Sequence, residues 1–89
     1  MIKKKVFVKN KLGLHARASN KLVELTTKFS SDIFIEYNDK KVDAKSIMSI
    51  LLLAASKGSE LNLIIDGDDE KEASYLIEQL FNNYFEENE

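Results

Sequence analysis

His15 and Arg17 are the only histidine and the only arginine of the chain, and a single residue separates them. They lie in the run Gly13-Leu14-His15-Ala16-Arg17-Ala18-Ser19, where a strand pattern ends and a helix pattern begins. A helix N-terminus offers unpaired backbone N–H groups and a partial positive charge, and both favour a bound anion. Imidazole is a nucleophile near neutral pH, and a guanidinium binds phosphate oxygens through two hydrogen bonds. These residue types at this spacing suit a phosphorylated histidine, although a histidine in an ordinary surface loop would look the same in sequence.

Other chemistries match the residues poorly. A conventional zinc site takes three or four His, Cys or carboxylate ligands, whereas this chain has one histidine and no cysteine. We therefore predict no metal and no other cofactor. A Ser-His-Asp hydrolase needs a substrate pocket and an oxyanion hole, which a chain of 89 residues is too small to enclose deeply. Phosphate carriage needs only an exposed ring nitrogen, a local anion site and a surface for docking.

Length and composition predict one domain over residues 1–89. No apolar run is long enough for a signal peptide or a membrane span, so we expect a cytoplasmic protein without membrane contact. Residues 1–57 carry twelve Lys or Arg and five acids, whereas residues 58–89 carry one Lys and ten acids. The His-Arg motif thus lies in the basic part, which suits a phosphate or an acidic protein surface. Aromatic residues are not interleaved with the lysines, which argues against a nucleic-acid partner.

Hydrophobic periodicity predicts the order β-α-β-β-α-β-α. The predicted strands cover 2–8, 32–37, 40–43 and 60–66; the predicted helices cover 16–28, 46–55 and a final segment ending near Tyr84. This order indicates a four-stranded sheet covered on one face by helices. Periodicity leaves the strand order open, and a ferredoxin-like arrangement is one alternative.

Local signals predict how several of these elements begin and end. Asn38-Asp39 is typical of a tight hairpin turn, and Gly58 suits the position just past the second helix. Asp69 and Glu72 have the spacing of a capping box for the last helix. The polar end 86–89 is expected to be a frayed tail.

The predicted helix 46–55 carries more apolar residues than one core-facing stripe can hold. Some must face outward, and an exposed apolar patch usually marks a partner surface. We expect Ile47, Met48 and Leu51 to contribute to it. Ser46 directly precedes this helix and is expected to be its N-cap.

Three motifs in register resemble HPr, the histidine-containing phosphocarrier family of the phosphoenolpyruvate-dependent phosphotransferase system. They are Gly13-Leu14-His15-Ala16-Arg17, Ala44-Lys45-Ser46-Ile47-Met48 and Lys57-Gly58, and the similarity spans almost the whole chain. The resemblance implies an α+β, open-faced β-sandwich: an antiparallel sheet of order 1-4-2-3 with three helices on one face. It also implies a phosphocarrier rather than an enzyme, acting as a monomer.

The resemblance implies specific roles for the residues singled out above. His15 would take phosphate on Nδ1 from Enzyme I and give it to an Enzyme IIA domain. Arg17 and the backbone amides of Ala16, Arg17 and Ala18 would hold the phosphoryl group. Ser46 matches the regulatory serine that HPr kinase/phosphorylase modifies in the family.

The chain departs from the family pattern in several places. Ala18 replaces the usual proline, and Glu24 and Ser49 replace lysines that often surround the docking patch. Asn10-Lys11-Leu12-Gly13 and the end at 81–85 are similar to the nitrogen-related branch of the family. An alternative function is a regulatory binding module that acts through Ser46 and the apolar patch without phosphate carriage. A small metabolic enzyme is a third hypothesis, but the chain offers no second catalytic group for it.

Overall fold

The computed structural model describes residues 1–89 and contains seven main elements. The strands are β1 (Ile2–Phe7), β2 (Asp32–Tyr37), β3 (Lys40–Asp43) and β4 (Glu60–Asp66). The helices are α1 (Ala16–Thr26), α2 (Ile47–Leu53) and α3 (Glu70–Asn82), with a 3₁₀ turn at Tyr84–Glu86. The predicted element order is confirmed. The first two helices are shorter than expected from the sequence.

The four strands form one sheet in the order β1-β4-β2-β3. All three pairings are antiparallel, with Val6 opposite Leu61 and Ile35 opposite Leu63. β1 therefore has β4 as its only neighbour, and the parallel pairing of a ferredoxin-like fold does not occur. This topology confirms the open-faced β-sandwich.

The core lies between one face of the sheet and the helices. Strand alternation places Val6 and Val8 in this core, while Phe7 between them is 45% exposed. α1 contributes Leu22, and α3 contributes Ile77 and Phe81, all fully buried. The apolar stripes of these two helices thus pack on the sheet and leave their polar faces in solvent. None of the three helices has the length and hydropathy that a bilayer span requires.

The start of α3 and the hairpin turn lie where the sequence predicts, but the capping box does not form and the end of α2 is wrong. Asp69 is the N-cap residue of α3, but its side chain makes no capping hydrogen bond and binds the loop before β2 instead. α2 ends at Ala54, which adopts a left-handed φ of 52°. Gly58 lies four residues further on and donates its N–H to the Val8 carbonyl at 2.7 Å. Asn38 and Asp39, with φ of 52° and 65°, form the predicted hairpin turn.

The C-terminal tail is packed on the molecule rather than frayed, and this corrects the expectation for 86–89. Phe85 is fully buried and meets Phe81 edge-to-face at 4.8 Å between ring centroids. Lys21 Nζ donates to the Phe85 carbonyl at 2.9 Å, and the Lys11 N–H donates to the Glu89 carbonyl at 2.9 Å. An aromatic anchor and hydrogen bonds to distant elements therefore fix a segment whose own sequence is polar.

Candidate functional site

The loop between β1 and α1 is fixed by close contact with the chain that follows α2. Gly13 has a φ of +71°, and a Cβ built on it would lie 2.6 Å from the Ala55 carbonyl oxygen. The Leu14 N–H donates to this same carbonyl at 2.9 Å. Glycine permits both the left-handed backbone and the close approach, because it has no Cβ. His15, which follows Leu14, is thereby held at the start of α1.

His15 is the N-cap residue of α1. Its backbone is extended, with φ −75° and ψ −178°, and its carbonyl accepts the Ser19 N–H at 2.9 Å. Its ring Nδ1 accepts the backbone N–H of Arg17 at 3.2 Å. Nδ1 thus faces the helix N-terminus, where N–H groups lack intrahelical partners and the helix dipole favours negative charge.

The other ring nitrogen of His15 contacts the C-terminal tail. His15 Nε2 lies 2.8 Å from Glu87 Oε2, and only 12% of the Glu87 side chain is exposed. The second carboxylate oxygen, Oε1, accepts a hydrogen bond from Asn10 Nδ2 at 3.0 Å. Asn10 is fully buried and also donates to the Gly13 carbonyl at 2.7 Å. Sequence reasoning missed the roles of Glu87 and Asn10, because the tail was expected to be frayed and Asn10 stood out only as part of a resemblance to one branch of the family.

The electrostatics of this contact favour an ionised carboxylate. Partial burial acts to raise the pKa of Glu87, but hydrogen bonds from Asn10 and His15 outweigh it. The charges of His15 and Arg17 act in the same direction, so the pKa of Glu87 is lowered from its ordinary value. Glu87 is therefore an anion at neutral pH.

The expected phosphate-binding groups are not equally accessible. His15 and Arg17 line one open cleft, together with Lys11, Leu12, Glu87, Asn88 and Glu89. Arg17 is exposed and takes part in none of the ion pairs of the molecule, so its guanidinium is free to bind an anion. Ala16 is exposed as well, whereas Ala18 is fully buried with its methyl group in the core. Of the three amides expected to hold a phosphoryl group, that of Ala18 thus belongs to a fully buried residue.

The surface of α2 is partly as predicted. Ser46 is the N-cap residue, and its hydroxyl accepts the Ser49 N–H at 3.3 Å. Met48 is 64% exposed, but Ile47 and Leu51 are half-buried. Leu52, which was not among the expected docking residues, is 72% exposed. We call Met48, Leu51 and Leu52 the apolar face of α2, since their spacing places them on one side of the helix.

The fold and this site together define a small α+β protein with a histidine presented at the N-terminus of its first helix. The family described as "PTS HPr component phosphorylation site" matches residues 2–83. The chain belongs to this HPr family of the phosphotransferase system.

HPr proteins of other organisms are similar to this chain over all or nearly all of its length. The "Phosphocarrier protein HPr" of Neisseria meningitidis is 46% identical over 89 residues and is covered completely, as is this chain. A crystal structure of HPr from Thermoanaerobacter tengcongensis is 43% identical with a TM-score of 0.96, and each chain covers the other completely. A second structure from that organism, described as an HPr dimer, is 44% identical with a TM-score of 0.79 and covers 98% of this chain and 100% of its own.

Proposed function

We propose that this chain is a phosphocarrier of the phosphotransferase system, with His15 as the residue that carries the phosphoryl group. The observation that carries the proposal is the position of His15 at the N-cap of α1, with Nδ1 facing the Arg17 N–H. A phosphoryl group on Nδ1 would lie at the positive end of the helix dipole. It would take the place of Nδ1 as the acceptor of the Arg17 N–H in the first turn.

The transfer step needs few groups from the protein. The Arg17 N–H leaves Nδ1, and the freed lone pair attacks the donor's phosphorus. The donor's bond to phosphorus breaks, and the electron pair of that bond stays with the donor. The exposed guanidinium of Arg17 neutralises charge on the transferring oxygens. Following the family, we propose Enzyme I as the donor and an Enzyme IIA domain as the acceptor, with no cofactor on this chain.

Ser46 is proposed as a regulatory phosphorylation site for HPr kinase/phosphorylase. Its hydroxyl is half-buried at the start of α2 and directly precedes the apolar face of that helix. A phosphate there would meet the free amides of the first turn but would charge a surface that a partner must desolvate. The alternative function, a binding module without phosphate carriage, does not explain why His15 and Arg17 lie together at the N-terminus of α1.

A monomeric state and a cytoplasmic location complete the proposal. One matched structure of the family is described as a dimer. Sedimentation equilibrium of this chain should therefore be measured over a range of concentrations, and it should give the monomer mass of 10.2 kDa throughout.

The test is phosphorylation by Enzyme I and phosphoenolpyruvate. Intact-mass measurement should show the gain of one phosphoryl group, which acid removes, and His15→Ala should show no gain while staying folded by circular dichroism. Arg17→Ala should slow transfer by about ten- to a hundredfold, because a charge-assisted contact that is strongest in the transition state accelerates transfer by about this factor. Lys28→Ala is the matched control, because Lys28 is exposed and lies beyond the end of α1. Phosphorylation of His15→Ala would overturn the assignment.

A further inference from the structure

We infer that Glu87 is a positioning residue for phosphoryl transfer: its carboxylate holds the His15 imidazole through Nε2, so that the Nδ1 lone pair is presented to the donor. The inference rests on the proposed role of His15. Its starting point is the distance of 2.8 Å between Glu87 Oε2 and His15 Nε2. The Glu87 side chain is only 12% exposed.

The two contacts of the imidazole require the same tautomer. A neutral imidazole has one N–H group and one nitrogen with a lone pair. Nδ1 receives the Arg17 N–H, so Nδ1 is the nitrogen that carries the lone pair. Nε2 must then carry the hydrogen, which it donates to Glu87. A carboxylate that orients a histidine in this way fixes both the tautomer and the ring angle.

Glu87 is itself held in place by buried and anchored groups. The Asn10 amide group has two hydrogens; it donates one to Glu87 Oε1 and the other to the Gly13 carbonyl. Phe85, two residues before Glu87, is fully buried. The carboxylate is therefore fixed from one side by the loop before α1 and from the other by the anchored tail.

The charge on the carboxylate acts most strongly during transfer. When Nδ1 bonds to phosphorus and Nε2 keeps its hydrogen, the ring becomes a cation, and the donor's electron pair stays with the donor. An anion at Nε2 stabilises this cation more than it stabilises the neutral ring, so it lowers the barrier. Glu87 contacts the nitrogen that does not react. Arg17 lines the same cleft, and its positive charge offsets the negative charges of the carboxylate and the phosphoryl oxygens.

The experiment compares Glu87→Ala and Glu87→Gln with the control Glu86→Gln. Glu86 lies on the same tail and has the same charge, but its partner is Lys21 and its side chain is 64% exposed. ¹⁵N NMR of the ring, above the usual titration range of imidazole, reads the tautomer directly. Phosphoramidate, a small donor that makes no protein–protein contact, reads the transfer chemistry without docking.

The parent and Glu86→Gln should show Nε2–H as the dominant tautomer. Glu87→Ala should show a larger share of Nδ1–H, because the Arg17 N–H, 3.2 Å from Nδ1, is then the one contact that opposes that tautomer. Glu87→Ala should accept phosphate from phosphoramidate about ten- to a hundredfold more slowly, the size expected for a lost charge-assisted hydrogen bond. Glu87→Gln keeps an acceptor oxygen but not the charge, so it should be slowed less. With Enzyme I as the donor, kcat should fall while KM stays within about twofold, since this change does not touch the apolar face of α2.

An unchanged tautomer in Glu87→Ala, or an unchanged rate in both variants, would overturn the inference. Faster transfer would overturn it as well, because the carboxylate would then obstruct the donor. Failure of the parent itself to accept phosphate from either donor would instead overturn the proposed function. The NMR comparison would still decide whether Glu87 sets the tautomer.

Discussion

The Asp69 carboxylate accepts the backbone N–H of Ser30 at 2.9 Å, across 39 residues of sequence. Its second oxygen accepts the N–H of Ser31 at 3.0 Å and the Ser31 hydroxyl. This contact joins the start of α3 to the loop before β2. The Ser31 hydroxyl first, and then the Ser30 amide, lower the pKa of Asp69 from 3.8 to about 2, because they stabilise its charged form.

Asp69→Asn should remove a stabilising contact that depends on pH. The lowered pKa means that Asp69 stabilises the folded state fully above pH 3.8 and loses this effect as pH falls toward about 2. The parent should therefore resist urea better than Asp69→Asn at pH 7, and the two should converge only as pH falls to about 2. Asp68→Asn is the control, since the Asp68 side chain makes no hydrogen bond. A constant difference between parent and variant from pH 7 to pH 2 would contradict this account.

Gly13→Ala should destabilise the protein more than Gly58→Ala. Both glycines have positive φ, so alanine costs about 1–2 kcal/mol of backbone strain at either position. At Gly13 the new methyl group also meets the Ala55 carbonyl and adds about 1–3 kcal/mol of overpacking, whereas the space at Gly58 is open. Urea unfolding measures both free energies. Gly13→Ala should also slow phosphorylation of His15, and equal losses of stability in the two variants would show that the loop yields to the methyl group.

Met48→Glu should weaken docking without unfolding the domain. Met48 is 64% exposed on the apolar face of α2, so its replacement should change stability by less than about 0.5 kcal/mol. The Kd for Enzyme I should rise about tenfold or more, because a partner would have to desolvate the new charge. Tyr75→Glu is a matched control on α3, where Tyr75 is 59% exposed. Calorimetric titration that gives the same Kd for both variants would place the docking surface elsewhere.

Ser46→Asp and Ser46→Ala separate the two roles of this residue. Ser46→Ala removes the bond from the Ser49 N–H and should cost about 1 kcal/mol of stability with little change in KM for transfer from Enzyme I. Ser46→Asp keeps a capping oxygen and should melt close to the parent temperature, but it should raise KM through its charge. Normal KM in both variants and in the phosphorylated protein would leave Ser46 as a helix cap alone.

Periodic segments were predictable because their burial follows from local pattern. In α3, Ala73, Ile77 and Phe81 are fully buried, as a helical stripe requires. Likewise, the alternation in β1 placed Val6 and Val8 correctly on the core side. The order of the strands is a property of the whole sheet, and periodicity alone left it open.

Contacts between distant elements were not predictable in this way. Asp69 has the sequence of a capping residue, but the loop at Ser30 offers its carboxylate two amides and a hydroxyl. Glu87 lies in a polar tail, and its partner His15 lies 72 residues earlier in the chain. Folding also brings part of the acidic C-terminal segment onto the basic N-terminal part. The tail brings Glu86, Glu87 and Glu89 against Lys21, His15 and Lys11.

The positions of the chain ends determine where a label can be attached. The Met1 ammonium group lies 3.3 Å from Glu70 Oε2, at the start of α3, whereas the Glu89 carbonyl accepts the Lys11 N–H and Glu89 lines the same cleft as His15. β1 separates Met1 from that site by a strand of six residues, about 20 Å. A dye coupled at Glu89 would therefore sense the phosphoryl group directly. A protein tethered to a sensor surface through Met1 would present His15 to partners in solution.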